Sequence, residues 1–480
     1  MSTTATAADN APRVPLKRFD QLSQFVAEWA VRTRFEDVSP QAIAAVTTFI
    51  VDHFGVVAAG TVKQSSEIIR ETCAAWATPD ADCTIVGSSG RNSAPFAALV
   101  NGTTGHALEL DDDHREGTQH PGVAVIPAAF AVSEHLGKSG KEFVLACALG
   151  YEIMIRLGEA HMGKSYLRGF HPTGTCGTIG AAVAVGKLLN LNVEQMRSAI
   201  GLAASQSAGL LTFRSNGAWN KRMHAGQAAM SGVICAELAS RDFRGPSESL
   251  LSPEGWLQAF AHNDEYDVTF VVDRLGEKWD LIENSIKVHA CCRFAGPIVD
   301  ATLETVFREN VLPDDVEEVT IAMASYPLTR SLIEPLERKL NPTSVVDAQF
   351  SAPFAAAVSI VKRRAFVEEY SETGIRDPEV LAMARKVRWE TDPEAERLWP
   401  KRYPCQVTIL LKNGRKVTSR VEWPKGDPEN AVTEPELRAK YMTLATPVIG
   451  ESAAKRSYAL ISDVVAAPNL STIASTLRTT

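Results

Sequence analysis

Apolar positions in the first 270 residues recur every three or four residues, as on one face of an α-helix. Ser39 and Pro40 suit an N-cap and a first helical position, and apolar side chains then recur from Ile43 to Val57. The same spacing predicts helices at 65–77, 93–110, 122–136, 140–157, 173–189, 193–210, 224–241 and 253–261. Several segments are rich in Ala and Gly, whose small side chains let helices approach closely. We therefore predict a tightly packed helical bundle.

The pattern changes after about residue 276, where strand-like alternation appears. Residues 316–326 alternate as a strand, and residues 405–423 are typical of a hairpin that turns at Asn413-Gly414. Two helices and a short strand are predicted between them, at 347–363, 377–386 and 387–389. Helical periodicity then returns at 433–446, 451–465 and 469–477.

A helical tail that follows an α+β insert indicates that the tail packs back on the first helices. We therefore predict a mainly α fold. A large all-helical domain is formed by residues 1–275 and 426–480, and it is interrupted by a smaller α/β (α+β) domain at 276–425.

Composition and charge exclude several classes of partner. Hydrophobic residues make up 45% of the chain and the formal net charge is −8, so the chain is globular and mildly acidic. We predict neither a nucleic-acid nor an anionic-membrane surface, because both require a basic face. An anionic substrate would need a local cationic pocket, since the overall charge repels it.

The sequence also predicts a cytoplasmic location. We find no apolar run of bilayer length, because the best candidate, 143–157, contains Glu152 and Arg156. The N-terminal residues lack a basic start followed by an apolar core, so we expect a frayed tail rather than a secretory signal. The eight cysteines lie mostly in apolar stretches and are predicted to be buried thiols without disulfides.

Histidine placement is the most informative chemical feature. Six of the ten histidines lie in polar or Gly-containing patches at the ends of apolar helices: His106, His114, His120, His171, His224 and His289. Sites are commonly assembled on such connections. We interpret His53, His135 and His262 as structural.

The first patch, residues 101–122, combines Glu109, three consecutive aspartates, His114 and His120. One interpretation is a general base with an orienting carboxylate. A second is a divalent metal site, because carboxylates and imidazoles are suitable ligands. A third is a solvated acidic loop.

The second patch contains His171 immediately before a helix that Thr173 is predicted to cap. A histidine there faces free backbone N–H groups, which favour a carboxylate, although a purely structural role is the alternative. The third patch contains Lys221, Arg222 and His224 before another small-residue helix. It is either a lysine clamp on a substrate carboxylate or a basic surface turn.

The fourth patch, residues 287–294, contains Lys287, His289, Cys291, Cys292 and Arg293. Adjacent cysteines are redox-active or nucleophilic in some proteins, and packing residues in most. Both alternatives remain open from these residues alone.

Together, these strings resemble the MmgE/PrpD family in order and spacing from about residue 20 to 450. The strings are NGTTGHALELDDDH followed by HP, GFHPTGTCGTIGAA, KRMHAGQAA, KVHACCRF, DAQFSAPFAAAV and PKGDPEN. The family includes methylcitrate dehydratase, cis-aconitate decarboxylase and iminodisuccinate epimerase. The resemblance implies a helical domain from both chain ends, an α/β lid, a homodimer, no metal or other cofactor, and a pocket at the domain junction.

The resemblance also implies functional residues. Acid–base and carboxylate-binding roles would fall on Glu109, Asp113, His120, His171, Lys221, Lys287 and Tyr326, with His224 and Cys292 as further substrate-binding candidates. Two departures leave the substrate open. Residues 109–113 read Glu-Leu-Asp-Asp-Asp where the family usually has Asp-Phe-Asp-Asp-Thr, and Cys292 stands where the decarboxylase has a histidine.

We predict a cofactor-independent lyase that dehydrates or decarboxylates a small di- or tricarboxylic acid by side-chain acid–base catalysis. His171 or His120 would transfer the proton, Lys221 and Lys287 would hold carboxylates, and Glu109 or Asp113 would tune a histidine. Epimerisation of a dicarboxylic acid is an alternative. A metal-dependent hydrolase that uses the 109–120 cluster and a non-catalytic helical scaffold are alternatives of other classes.

Overall fold

The computed structural model describes residues 21–261, 265–399 and 401–479, and its fold is mainly α with a small sheet-containing region, as predicted. The predicted N-terminal tail and His262 lie outside the described residues.

The first part of the chain is helical. Its helices are α1 (Leu22–Arg32), α2 (Pro40–Gly60), α3 (Gln64–Ala74), α4 (Ala94–Gly105), α5 (Gly122–Leu136), α6 (Gly140–Ala160), α7 (Lys164–Leu167), α8 (Pro172–Leu188), α9 (Val193–Gln206), α10 (Asn220–Ser240), α11 (Trp256–Ala261) and α12 (Thr269–Val272). Two short strands, β1 (Cys83–Thr84) and β2 (Arg91–Asn92), pair between α3 and α4. The predicted cap of α2 is confirmed, because Ser39 Oγ accepts a hydrogen bond from Ala42 N at 3.2 Å.

Small residues allow the close helix crossings that the sequence predicts. A Cβ added at Gly226 of α10 would lie 2.1 Å from the Leu99 carbonyl oxygen of α4. The backbones of α4 and α10 therefore touch at a distance that only glycine permits. Because the N-terminal end of α10 carries Lys221, this crossing also fixes where that lysine lies.

The second part of the chain combines helices with a four-stranded sheet. Its elements are α13 (Gly296–Glu309), β3 (Val316–Met323), α14 (Pro327–Arg330), α15 (Leu336–Leu340), α16 (Val345–Gln349), α17 (Ala352–Lys362), α18 (Pro378–Ala384), β4 (Val387–Thr391), α19 (Pro393–Leu398), β5 (Cys405–Leu411) and β6 (Lys416–Val421). The strand order is β4-β3-β5-β6, with β3 and β4 parallel and the other pairs antiparallel. The predicted β5–β6 hairpin is confirmed, with Gly414 at φ 82° in its turn.

The chain ends in three helices, α20 (Glu434–Ile449), α21 (Glu451–Ser462) and α22 (Ser471–Thr476). Side chains of these helices, such as Tyr441 and Ile461, belong to the same hydrophobic core as α2 and α6. A second core contains the sheet, α13 and α17. The helical tail therefore packs on the first helices, while the domain boundaries at 276 and 425 stay a prediction.

Helix α2 corrects the expectation that no apolar run reaches bilayer length. It is 21 residues long and apolar enough to cross a membrane by length and composition. However, 72% of its apolar window is buried inside the protein, as in the core helix of a globular fold. It also carries the buried polar residues Asp52 and His53.

Candidate active site

The candidate site lies where the connection after α4 meets the first residues of α8 and α10 and the segment at 286–293. Helix α4 ends at Gly105, shorter than predicted, and residues 106–115 after it are all buried. Buried irregular backbone needs polar partners, and here they come from distant parts of the chain. Glu109 adopts φ 54°, in the left-handed region that residues other than glycine rarely adopt and that clusters at functional sites.

Two lysines surround the Glu109 carboxylate. Lys221 Nζ donates a hydrogen bond to Glu109 Oε1, and Lys287 Nζ lies 3.7 Å from Glu109 Oε2. Lys287 Nζ also donates to the Glu109 carbonyl oxygen at 3.0 Å. Burial raises the pKa of Glu109, but Lys221 and Lys287 outweigh burial and lower this pKa to about 2. These two buried ammonium groups are candidate partners for the carboxylate of an anionic ligand.

Asp111 lies between two histidines. Its Oδ2 is 2.8 Å from His106 Nδ1 and 3.2 Å from His120 Nδ1. His120 Nδ1 is also 3.0 Å from the Asp112 carbonyl oxygen. Both neighbours of this nitrogen are acceptors, so His120 carries hydrogen on Nδ1 and has Nε2 available for proton transfer. Burial lowers the pKa of His120 to about 4, against the upward pull of Asp111.

His171 is the N-cap residue of α8, and its backbone N–H donates to the Gly209 carbonyl oxygen at 3.1 Å. Its Nδ1 lies 3.2 Å from Nδ1 of the half-buried His224. Burial and then the charge of Lys221 hold the pKa of His171 well below its usual range. Thr173 does not cap α8, because it lies inside the helix, where its hydroxyl accepts a hydrogen bond from His120 N at 3.1 Å.

Asp113 belongs to a buried ion-pair network. Arg293 donates hydrogen bonds to Asp113 Oδ1 and, at 2.7 Å, to Asp427 Oδ1. The Asp113 backbone pairs with Ser285 in both directions. These contacts join the loop after α4 to the segment before α13 and to residue 427.

Both adjacent cysteines are buried, and all eight cysteines of the chain are free, as predicted. Burial raises the pKa of the Cys292 thiol and also that of Cys291, so both are protonated near neutral pH. This favours packing over a redox or nucleophilic role. Cys292 lines the site, whereas the neighbouring His289 pairs with Asp300 at 2.7 Å.

These groups enclose a small cavity of about 50 Å³. Glu109, Asp113, His120, His171, Lys221 and Cys292 line it, together with Arg293 and four aromatic residues, Tyr166, Phe213, Phe294 and Phe350. The cavity offers cations for carboxylates, imidazoles for proton transfer, and aromatic walls that exclude water.

Comparison with known families matches the chain to one of them. The family model of the MmgE/PrpD N-terminal domain matches residues 24–269, and that of the MmgE/PrpD C-terminal domain matches residues 289–464. The chain belongs to the MmgE/PrpD family. The resemblance found in the sequence is therefore confirmed.

Curated MmgE/PrpD relatives cover most of the chain. Cis-aconitate decarboxylase from Aspergillus terreus is 29% identical over 450 residues, which is 90% of each protein. Cis-aconitate decarboxylase from Mus musculus is 26% identical over 419 residues, 83% of this chain and 82% of the relative. The Homo sapiens protein of the same name is 25% identical over 366 residues, 74% and 73%. The chain is thus a lyase of the MmgE/PrpD type.

The structure brings together eight of the nine site residues that the MmgE/PrpD resemblance and the patches predict. Six line the cavity, Lys287 contacts Glu109, and His224 contacts His171. Lys221 and His224 lie within the first two turns of α10 rather than before it. Their individual roles stay predictions.

Tyr326 is the ninth predicted residue and does not reach the cavity. Its half-buried ring packs on Trp399 with centroids 4.6 Å apart. Trp399 in turn packs on Phe294, which is the residue that lines the cavity. Tyr326 therefore lies behind the wall of the site.

Asp111 is the carboxylate that contacts His120, although no individual role was predicted for it. No periodic signal marks Asp111 among three consecutive aspartates, and only the packed loop distinguishes them. The aromatic walls Phe213 and Phe350 were also missed. Phe350 lies within the string DAQFSAPFAAAV, but nothing in that string indicates which side chain faces the site.

His106, Asp111 and His120 have possible ligand atoms within 4.8 Å of one another, a spacing that would allow these three residues to bind one metal ion. The residues of the 109–120 cluster do not all surround one metal position, because Asp113 is bound to Arg293. Lys287 and Lys221 place positive charge close enough to lower the pKa of His120, after burial as the main cause. The same charges oppose a divalent cation at this position.

Proposed function

We propose that this chain is a cofactor-independent lyase that decarboxylates a small unsaturated tricarboxylic acid such as cis-aconitate by side-chain acid–base catalysis. The names of its curated relatives support this substrate class. The observation that carries the proposal is one buried cavity that combines Lys221, His120 and His171, with Lys287 beside Glu109. The reaction needs cations for the carboxylates and a proton donor for the carbon skeleton.

In the proposed reaction, the bond between one carboxylate carbon of the substrate and the adjacent carbon atom breaks, and CO₂ leaves. The electron pair stays on the carbon skeleton and is delocalised by the existing double bond towards a second carboxylate. Lys221 and Lys287 stabilise this charge. An imidazolium then donates a proton to the carbon at the other end of the delocalised system, which shifts the double bond and completes the product.

His120 is the proposed proton donor, because contacts to Asp111 and to the Asp112 carbonyl oxygen hold its ring and leave Nε2 available. Burial keeps the pKa of His120 at about 4 when no anion is bound, so the imidazole is then neutral. A bound tricarboxylate raises this pKa, since a nearby negative charge favours the protonated form. Substrate binding would therefore be coupled to proton uptake.

Dehydration is the second candidate function, favoured by Cys292. By the resemblance found in the sequence, this thiol occupies the position where the decarboxylase has a histidine. In dehydration a base removes a proton from the carbon next to a carboxylate. The hydroxyl group on the adjacent carbon leaves as water after it takes a proton from an acid.

One assay separates the candidates. Purified protein is incubated with cis-aconitate, with a methylcitrate-type hydroxy acid and with a saturated dicarboxylic acid in deuterated water. We expect CO₂ release from cis-aconitate. Alkene formation from the hydroxy acid without CO₂ would instead favour dehydration. Deuterium incorporation next to a carboxylate with neither product would favour epimerisation.

Cofactor independence is part of the proposal and has its own test. Activity should survive extensive dialysis against EDTA, because His120 is held by hydrogen bonds and the cations are lysines. Loss of activity that one divalent ion restores would favour the metal-dependent alternative at His106, Asp111 and His120.

We also propose a cytoplasmic homodimer. Eight free thiols suit a reducing compartment. Val62, Ile68 and Trp76, at and beside α3, are 73%, 49% and 54% exposed and form apolar surface that a second subunit would cover. Sedimentation should give the dimer mass for the wild type and the monomer mass for Trp76→Glu. A dimer mass for Trp76→Glu would show that this surface is not the interface, and a monomer mass for the wild type would contradict the homodimer.

A further inference from the structure

A second, larger cavity adjoins the candidate active site. It has a volume of about 390 Å³ and lies between the turn at Leu211–Ser215 and the region of α15 and α16. Phe213 and Phe350 line both this outer cavity and the inner one, and their ring centroids are 6.4 Å apart. The two rings therefore form a partition between the cavities.

The inner cavity is too small for the proposed substrate in this conformation. A volume of about 50 Å³ holds only a few water molecules, whereas a tricarboxylic acid has twelve or so carbon and oxygen atoms. Both partition rings contact groups of the site, since Phe213 packs edge-on against His171 and the Lys221 ammonium lies 5.3 Å from the Phe350 ring. A ligand that arrives from the outer cavity must displace this partition.

The outer cavity carries positive charge that its acids do not neutralise. Asp347 pairs with Arg338 at 2.5 Å, and Glu334 pairs with Arg330. Arg214 and Lys339 also line the cavity, and neither has a carboxylate within 4.0 Å among residues 21–261, 265–399 and 401–479. In a chain of net charge −8, two such cations in one cavity are a local attraction for anions.

The two cations differ in their surroundings. Arg214 is exposed and its guanidinium lies 5.9 Å from the ring of Tyr166, which lines the inner cavity. Lys339 is buried, and its Nζ donates to the Phe350 carbonyl oxygen at 2.7 Å. Burial lowers the pKa of Lys339 to about 8, so at neutral pH it remains mostly charged.

We propose that the outer cavity is a capture site for carboxylates, where Arg214 and Lys339 bind an incoming di- or tricarboxylic acid before Phe213 and Phe350 part to admit it. The inference rests on the proposed function, whose substrate class it shares. It assigns a binding role to residues outside the reaction cavity.

Calorimetric binding of tricarballylate, a saturated tricarboxylate that cannot react, tests the capture site. We expect R214Q to weaken binding about threefold or more and to reduce the salt dependence of affinity. Arg456→Gln is the matched control, because Arg456 is exposed on α21 and its loss changes the net charge equally. K221M should keep weak binding at the capture site, and R214Q/K221M should abolish it.

Equal affinities of R214Q and R456Q, or loss of all binding in K221M alone, would overturn the capture site. Thermal melts verify that each variant is folded. Failure of the proposed function looks different, because it appears as a lack of turnover with every acid tested. Such a result leaves the tricarballylate affinities interpretable.

Discussion

At the scale of single residues, the neighbours of each imidazole determine which of its ring nitrogens carries the hydrogen. His120 faces two acceptors through Nδ1, so its hydrogen position is fixed. His171 instead faces another imidazole nitrogen, that of His224, and one of the two rings must donate. The proton-transfer role is therefore better defined for His120 than for His171.

We expect His120→Gln to lower kcat by about 10²–10⁴, the usual contribution of general acid–base catalysis. Glutamine retains size and hydrogen bonding but cannot carry the proton, so tricarballylate should still bind, but more weakly and without proton uptake. Steady-state kinetics and calorimetry measure both quantities. His135→Gln, at an exposed position on α5, is the control. If His171→Gln is inactive while His120→Gln turns over normally, the two roles are reversed.

Replacing either lysine at Glu109 should lower kcat/KM by at least about tenfold, because a charged hydrogen bond contributes roughly 1.5–3 kcal/mol. Lys287→Met should also lower the melting temperature, since Lys287 Nζ holds the Glu109 carbonyl oxygen. Lys221→Met removes only a side-chain partner and should lower it less. Lys141→Met, at an exposed position, serves as control. Full activity in either variant would exclude that lysine from catalysis.

The sequence was sufficient to predict residue types at the site but not their contacts. Eight of the nine candidates lie together. They could be predicted because they occur at helix ends and in short connections, where sites are commonly assembled. Tyr326 lies behind Trp399, and the role of Asp111 was missed. Such contacts depend on how a buried loop without periodicity is packed, and local sequence does not contain that information.

At the scale of elements, helix α20 closes the site from the far end of the chain. Lys440 Nζ lies 2.6 Å from Asp52 Oδ1 of α2 and donates to the carbonyl oxygens of Leu110 and Lys287 at 3.0 and 2.7 Å. One buried ammonium thus joins two helices and both loops that carry the site residues.

Lys440→Met should lower the free energy of unfolding by about 3–5 kcal/mol, because it leaves the buried Asp52 carboxylate without its partner. It should also lower kcat/KM by loosening the two loops. Urea unfolding and steady-state kinetics measure these effects. Asp52→Asn in the same chain removes the unpaired charge and should restore part of the stability but not the activity. A double variant no more stable than Lys440→Met would contradict this account.

Element positions followed from periodicity more closely than element ends. The helix expected at 93–110 ends at Gly105, and the one expected at 193–210 ends at Gln206. After α4 apolar residues continue beyond the helix because the following loop is buried, whereas residues 207–210 after α9 are half-buried or exposed. Strand β4 was expected at 387–389 and extends to Thr391, where its parallel pairing with β3 continues.

At the scale of the whole molecule, buried histidines link stability to pH. His161 is 1% exposed, stacks on Trp256 at 4.4 Å, and has no hydrogen-bond partner for either ring nitrogen among the described residues. Burial lowers its pKa to about 3 from an ordinary value near 6.5. The unfolded chain therefore binds a proton that the folded chain does not, and its stabilising effect above pH 6.5 is lost as the pH falls towards 3.

We expect His161→Phe to remove the contribution of His161 to this dependence while it retains the stacking on Trp256. The free energy of unfolding should fall less steeply on acidification, by about 1.4 kcal/mol per pH unit below pH 6.5. Urea unfolding at a series of pH values measures the slope. Arg456→Gln is the control and should have the wild-type slope, since arginine does not lose its proton in this pH range. An unchanged slope in His161→Phe would mean that His161 is not one of the groups that titrate.

The hydrogen bond from Lys440 to Leu110 joins residues 330 positions apart. A ribosome that adds about 5–20 residues per second needs roughly 15–65 seconds to travel that distance. Throughout this interval the nascent chain carries Glu109 and its neighbouring aspartates without the helix that closes over them. The buried loops of the site are thus joined only after α20 has been synthesised, and a translation product truncated before Lys440 would lack the ammonium group that joins them.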